Sequence, residues 1–228
     1  MSADYTALKR ELGYFIGDDR LIDDPLRTLA YGTDASFYRL IPKLVVIVEN
    51  ETEIARVLSE TRARRIPVTF RAAGTRLSGP AVTDSVLIKL GPGWRGHAIG
   101  EGAKTIRLQP GVIGGHANRY LAPFNKKIGP DPASINAAQI GGIAANNASG
   151  MCCGTAQNSY QTLQSMRLLL ADGTVLDTGD AESRERFLRE RSDLIAGLRT
   201  LVERVTGNTE LMARIRHKYR LKNTTGYS

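Results

Sequence analysis

The sequence predicts an α+β chain of two lobes: a small β-α-β lobe over about residues 40–90 and a larger mixed-sheet lobe with flanking helices over about residues 100–228. Three observations carry this. A β-branched run, Leu44 to Glu49, is followed by helical spacing through Ile54, Val57, Leu58 and Thr61 and by a second strand-like run, Pro67 to Phe70. Two apolar runs flank Asp172-Gly173, a strong hairpin turn. Past the hairpin the apolar period becomes helical to the end of the chain.

In order, residues 1–39 read as a helical extension, Leu44 to Glu49 as a strand, Glu51 to Arg64 as a helix, and Pro67 to Phe70 and Val86 to Leu90 as strands. Ile106 to Leu108 is a strand that opens the second lobe, with a helix starting near Gly111 to Gly115. Ser165 to Ala171 and Thr174 to Asp177 form the hairpin, and helices follow at Glu182 to Glu190, Asp193 to Val205 and Glu210 to Lys218. Gly91-Pro92-Gly93-Trp94-Arg95-Gly96 spells a dinucleotide fingerprint after a strand. However, His97 to Lys104 lacks the apolar period of the helix those glycines would have to open, so the segment reads as a connection between lobes.

At 228 residues and 42% hydrophobic, the chain is long enough to bury a substantial core. Its net charge of +8 suits anionic ligands, but Arg214, Arg216, Lys218, Arg220 and Lys222 would spread around a helix as a solvated face. A basic nucleic-acid module fits the charge, yet the chain is only 6% aromatic and carries no recognised nucleic-acid-binding motif, so no specific nucleic-acid partner is expected. No apolar run nears the ~20 residues that span a bilayer, and the N-terminus lacks a signal-peptide core, so the expected location is cytoplasmic. Adjacent Cys152 and Cys153 are too few for a metal cage and read as small packing residues, and no metal site is expected.

Two stretches demand main chain where side chains usually act. Arg71-Ala72-Ala73-Gly74-Thr75-Arg76-Leu77-Ser78-Gly79 follows a strand, and successive N–H groups in such a loop form a nest for phosphate oxygens without needing a lysine. Residues 129–155, GPDPASINAAQIGGIAANNASGMCCGT, crowd glycine and other small residues together, which suits close approach to a ligand. Either loop alone also suits a surface turn. The two together point to a flat cofactor with polar edges.

These stretches resemble the flavoproteins whose FAD-binding domain is of the vanillyl-alcohol oxidase (PCMH) type. The similarity begins at Pro42-Lys43-Leu44-Val45-Val46 and runs through RAAGTRLSG, Gln109-Pro110-Gly111-Val112, GPDPAS and IGGIAANNASG to SMRLLLADG, Ser165 to Gly173. Within that family the wording is similar to D-2-hydroxy-acid dehydrogenases, which include D-lactate and D-2-hydroxyglutarate dehydrogenases. NNASGMCCGT and NTTGYS resemble the subgroup with an added iron–sulfur region, so any such cluster is expected only in a full-length protein.

The resemblance implies an FAD cleft between the lobes. Ala72, Ala73, Gly74, Thr75, Arg76, Leu77, Ser78 and Gly79 would surround the pyrophosphate, and Val112 would pack near the adenine half. Pro130, Asp131, Pro132, Ala133, Ser134, Gly141, Gly142, Asn146, Ser149, Gly150 and Gly154 would line the ribityl chain and isoalloxazine. Family members with a covalent flavin place histidine where Thr75 stands, so the FAD is expected to be non-covalent. The implied reaction is hydride transfer from the α-carbon of a D-2-hydroxy acid to flavin N5, with electrons passing to an unidentified acceptor. Catalytic residues are expected in a C-terminal cap domain outside this chain, which reads as a fragment inactive by itself. A sugar oxidase or nucleotide-sugar reductase would share the FAD domain and remains the alternative.

Overall fold

In the computed structural model, residues 4–150 and 154–221 are described. Cys152, Cys153 and Lys222 lie outside them. The elements, in chain order, are α1 (Tyr5–Leu12), β1 (Leu21–Ile22), α2 (Pro25–Ala30), β2 (Leu44–Val48), α3 (Glu51–Ala63), β3 (Val68–Arg71) and β4 (Val86–Leu90). There follow β5 (His97–Ile99), β6 (Ile106–Leu108), α4 (Gly114–Leu121), α5 (Ile140–Ala145), α6 (Ser159–Thr162), β7 (Arg167–Leu169), β8 (Val175–Asp177), α7 (Ala181–Glu190), α8 (Ser192–Thr206) and α9 (Thr209–Lys218).

The first lobe is a four-stranded sheet in the order β1-β2-β4-β3. The two strands of the β-α-β unit are therefore not neighbours. β4 lies between them and is parallel to both, pairing Leu44 with Val86 on one side and Val68 with Val86 on the other. β1 pairs antiparallel with β2, so the N-terminal segment contributes a strand as well as helices. Two residues are too short for a period-2 pattern, which is why this strand was not legible in the sequence.

Strand alternation divides the core. Leu44, Val46, Val48, Val86 and Ile88 face Leu8, Leu12 and Ile16 of the N-terminal segment and Ile54, Val57 and Leu58 of α3, all buried. Val45 and Leu87 point the other way, with Ile22. Asn50 caps α3 by accepting from the Glu53 N–H at 2.9 Å. Trp94 closes one end of the sheet, its indole donating to the Val48 carbonyl at 2.9 Å. Residues 92–94 form a single 3₁₀ turn leading to strand β5, and no helix opens there, consistent with rejecting the dinucleotide fingerprint.

The strands of the second lobe form two separate antiparallel pairs, β5-β6 and β7-β8. The second is the expected hairpin, with Gly173 at φ +88. Arg167 joins it to α3 by donating from Nε to both carboxylate oxygens of Glu51 at 2.7 and 3.0 Å. The three C-terminal helices follow as expected, and Arg214, Arg216, Lys218 and Arg220 of that region are exposed. His97 stacks on Tyr120 with ring centroids 3.8 Å apart, a packing role.

A bidentate ion pair holds the first lobe together. Arg20 donates to both oxygens of Glu53 at 2.7 and 3.1 Å, and Glu53 also accepts from the Glu49 N–H at 2.8 Å. Burial pushes the Glu53 carboxyl up, but the bonds from Arg20 and Glu49 outweigh it and hold the group below its ordinary value. A depressed native value contributes stability that is complete above the unfolded value of about 4.3 and is lost as pH falls through the native one. Glu53→Gln should therefore lower unfolding free energy by about 2 kcal/mol at neutral pH, the gap to wild type closing in acid. Urea denaturation at several pH values checks this.

Candidate functional site

The small-residue loop opens at the C-terminal end of β3. Arg71, the last strand residue, is 7% exposed and closes the loop at its base, donating from Nε and an NH2 group to the Ala81 carbonyl at 2.9 and 2.6 Å. Burial pushes its guanidinium down from the ordinary arginine value, with Asp34 and Tyr31 opposing. Gly74 and Gly79 adopt φ +66 and +72, a region that favours glycine. Among the described residues, no oxygen accepts a hydrogen bond from the backbone N–H of Ala73, Gly74, Thr75, Leu77 or Ser78. A run of unpaired donors at a strand end is the arrangement an anionic group fits.

The second stretch comes to the same place. A Cβ on Gly142 would lie 3.4 Å from the Cβ of Ala72, so α5 packs close to the methyl at the loop base. The Gly141 N–H donates to the Pro110 carbonyl at 2.9 Å and the Ile140 N–H to the Val112 carbonyl at 2.8 Å, which docks Gln109-Pro110-Gly111-Val112 alongside. The Asp131 N–H donates to the Ser149 carbonyl at 2.7 Å, and Asp131 bridges to Gly150. Gly150 has φ +102, and any Cβ there would collide with the Asp131 carbonyl. Ile143, Ala138 and Ala148 are buried together beneath this arch.

Ala72 of the loop thus meets Gly142, Gly141 and Ile140 hold Pro110 and Val112, and Asp131 lies against Ser149 and Gly150. An added Cβ at Gly154 would lie 3.7 Å from the Leu221 carbonyl.

Two acceptors in this region are shielded from water and bonded to nothing: the side-chain oxygens of Asn146 and Gln139. Buried polar atoms are normally paired, and an unpaired one costs about 1–3 kcal/mol. A ligand with N–H or O–H edges would satisfy them. Sequence reasoning included Asn146 but missed Gln139, which precedes α5. The glutamine beside Ile-Gly-Gly was visible, but its lack of a partner is a property of the fold alone. Among the described residues, no group of three or more His, Cys, Asp or Glu side chains is placed to hold a metal ion.

A strand-end loop of free N–H groups, facing glycine main chain and unpaired acceptors, defines a domain that holds a phosphate-bearing cofactor by its backbone. Residues 42–179 match the family model described as FAD binding domain, and this chain belongs to that family. The resemblance read from its motifs holds.

Over 146 residues the chain is 33% identical to the glycolate oxidase subunit GlcD of Escherichia coli (strain K12), covering 63% of this chain and 29% of that protein. It is 29% identical over 154 residues to D-2-hydroxyglutarate dehydrogenase of Escherichia coli (strain K12), covering 66% of this chain and 15% of that one. It therefore spans less than a third of either relative. Its fold is similar to p-cresol methylhydroxylase with substrate bound, at TM-score 0.64 and 16% identity over 78% of this chain and 36% of that one. Alkyldihydroxyacetonephosphate synthase is similar at TM-score 0.64 and 19% identity, over 79% and 36% of the two chains. FAD fits the site on two counts: the unpaired N–H run suits its pyrophosphate, and the Gln139 and Asn146 oxygens suit its N–H and hydroxyl edges.

Gln139→Leu removes a buried acceptor that no protein group satisfies. It should raise the stability of the flavin-free chain by about 1 kcal/mol while weakening FAD uptake. Thermal melts with and without FAD check both directions, since a merely structural glutamine would lose stability in both.

Proposed function

We propose that this chain is the FAD-holding part of an oxidoreductase that oxidises a D-2-hydroxy acid of the D-lactate or D-2-hydroxyglutarate class. The observation that carries the reading is the meeting of the two small-residue loops at Ala72 and Gly142, which brings the two stretches to one place. The two relatives above, one named as a glycolate oxidase subunit and one as a D-2-hydroxyglutarate dehydrogenase, support the substrate class.

In this reading the N–H groups of Ala72 to Leu77, with Ser78 and Gly79, hold the pyrophosphate, and Val112 packs against the adenine half. Pro130 to Ser134, Gly141, Gly142, Asn146, Ser149, Gly150 and Gly154 line the ribityl chain and the ring. The bound flavin supplies the acceptor for a hydride leaving the substrate α-carbon. The chain's own residues fix the cofactor's position, and their dipoles set the polarity around it. Arg71 acts indirectly: by bonding Ala81 it keeps the two ends of the loop at a fixed spacing. Thr75 offers no imidazole for a histidyl tether, so the FAD is held without a covalent bond. The electrons then pass from the flavin to a further acceptor.

A visible absorption spectrum of the purified chain, with FAD titration if it is colourless, tests the cofactor. A flavin spectrum that passes wholly into the supernatant on acid denaturation is expected. Colour retained by the pellet would overturn the non-covalent reading. Failure of a folded sample to bind added FAD would overturn the assignment of both loops.

A further inference from the structure

The cradle at 72–79 is backed by a part of the chain that none of its motifs includes. Residues 33–39 form a turn closed by an antiparallel bridge between Thr33 and Arg39. The Ala35 N–H donates to the Gly74 carbonyl at 2.9 Å. A Cβ at Gly74 would stand 3.3 Å from the Asp34 Cβ, and one at Gly79 would stand 2.5 Å from the Tyr38 ring and 3.3 Å from Ser36 Oγ. The turn and the cradle are thus packed against each other at both positive-φ glycines.

The two carboxylate oxygens of Asp34 are used unequally. Oδ1 accepts from the Ser36 N–H at 2.8 Å and shapes the turn. Oδ2 is shielded from solvent and accepts nothing. Arg71 does not pair with it: its Nε and an NH2 group are committed to the Ala81 carbonyl, and among the described residues no ion pair joins the two side chains. A buried carboxylate oxygen without a donor is more costly than a neutral one. The molecule tolerates it beside a loop in which the N–H groups of Ala73, Gly74, Thr75, Leu77 and Ser78 have no acceptor among the described residues.

We propose that Asp34 Oδ2 is a further cofactor-binding group, accepting a hydrogen bond from a sugar hydroxyl of FAD beside the pyrophosphate. This rests on the reading that the pyrophosphate lies on residues 72–79. A carboxylate repels phosphate oxygens and can only accept, so its partner is a donor. The donors that adjoin the pyrophosphate are the hydroxyls of the adenosine ribose on one side and of the ribityl chain on the other. The N-terminal turn would then belong to the cofactor site.

Asp34→Asn is the discriminating variant. It keeps the Oδ1 acceptor for Ser36 and replaces the Oδ2 acceptor with a donor. The FAD Kd, read by quenching of flavin fluorescence, should rise about tenfold, while the flavin-free melting temperature is unchanged or higher. Deoxy-FAD analogues lacking either the ribose or the ribityl hydroxyls locate the donor: the analogue that has lost it binds wild type and Asp34→Asn equally weakly.

An Asp34→Asn Kd within twofold of wild type, or tighter binding that would put the new donor against phosphate, overturns the proposal. If the variant does not fold, the analogues still decide it on wild type, since all of them binding like FAD overturns it. Wild type that takes up no FAD overturns the flavin reading itself. Wild type that binds FAD with Asp34→Asn unaffected overturns only the role of Asp34.

Discussion

Two stretches of chain can pack closely only where side chains are absent or small, and the meeting of Ala72 with Gly142 is where the loop and α5 come together. The parallel pairing of β3 with β4 fixes where the loop starts, and the Arg71 bonds to Ala81 fix where it returns. On the facing side, α5 is pinned by Ile143 in its own small core and by the Pro110 and Val112 carbonyls. At Gly141 an added Cβ would come within 2.8 Å of the Pro110 Cβ, a close contact though a milder one than that at Gly150.

The electrostatics follow the same logic. The net charge of +8 does not reach the cradle as a lysine cluster, because the basic residues of the C-terminal region lie exposed on and just past α9. What the cradle offers is neutral N–H dipoles and two guanidiniums, Arg71 committed to the Ala81 carbonyl and Arg76 donating from Nε to Ser78 Oγ at 2.9 Å. Neutral donors in a sheltered loop can favour an anion without creating a buried, unpaired cation when the anion is absent.

Much of this was legible in the sequence. Glycine-rich loops announce themselves because φ > 0 and close approach are local demands, and Gly74, Gly79 and Gly150 all adopt positive φ. Helices α3, α4, α7, α8 and α9 and the Asp172-Gly173 hairpin followed from periodicity and turn chemistry, whereas the short α5 and α6 did not. The position of β4 between β2 and β3 was not legible, since alternation sets which face is buried but not which strand is the neighbour. Strands β1 and β5 were too short to show a period. Gln139 and Asp34 were invisible for a different reason: whether a polar atom lacks a partner depends on every element packed around it.

The strand order also sets a sequence of events in time. Because β3 bonds only to β4, and β4 leaves the ribosome later, β3 remains without a partner until residues 86–90 slot in beside β2. The loop that follows β3 has no fixed base before then, and its clasp at Ala81 cannot close on a settled strand. During synthesis the central strand must be inserted before the nucleotide grip exists, and α5, some fifty residues further on, must dock after that. Pairings of this separation are slow to form. The flavin surface is complete only when β4 and α5 are both in place, which makes the cofactor a fastener of pieces far apart in the sequence.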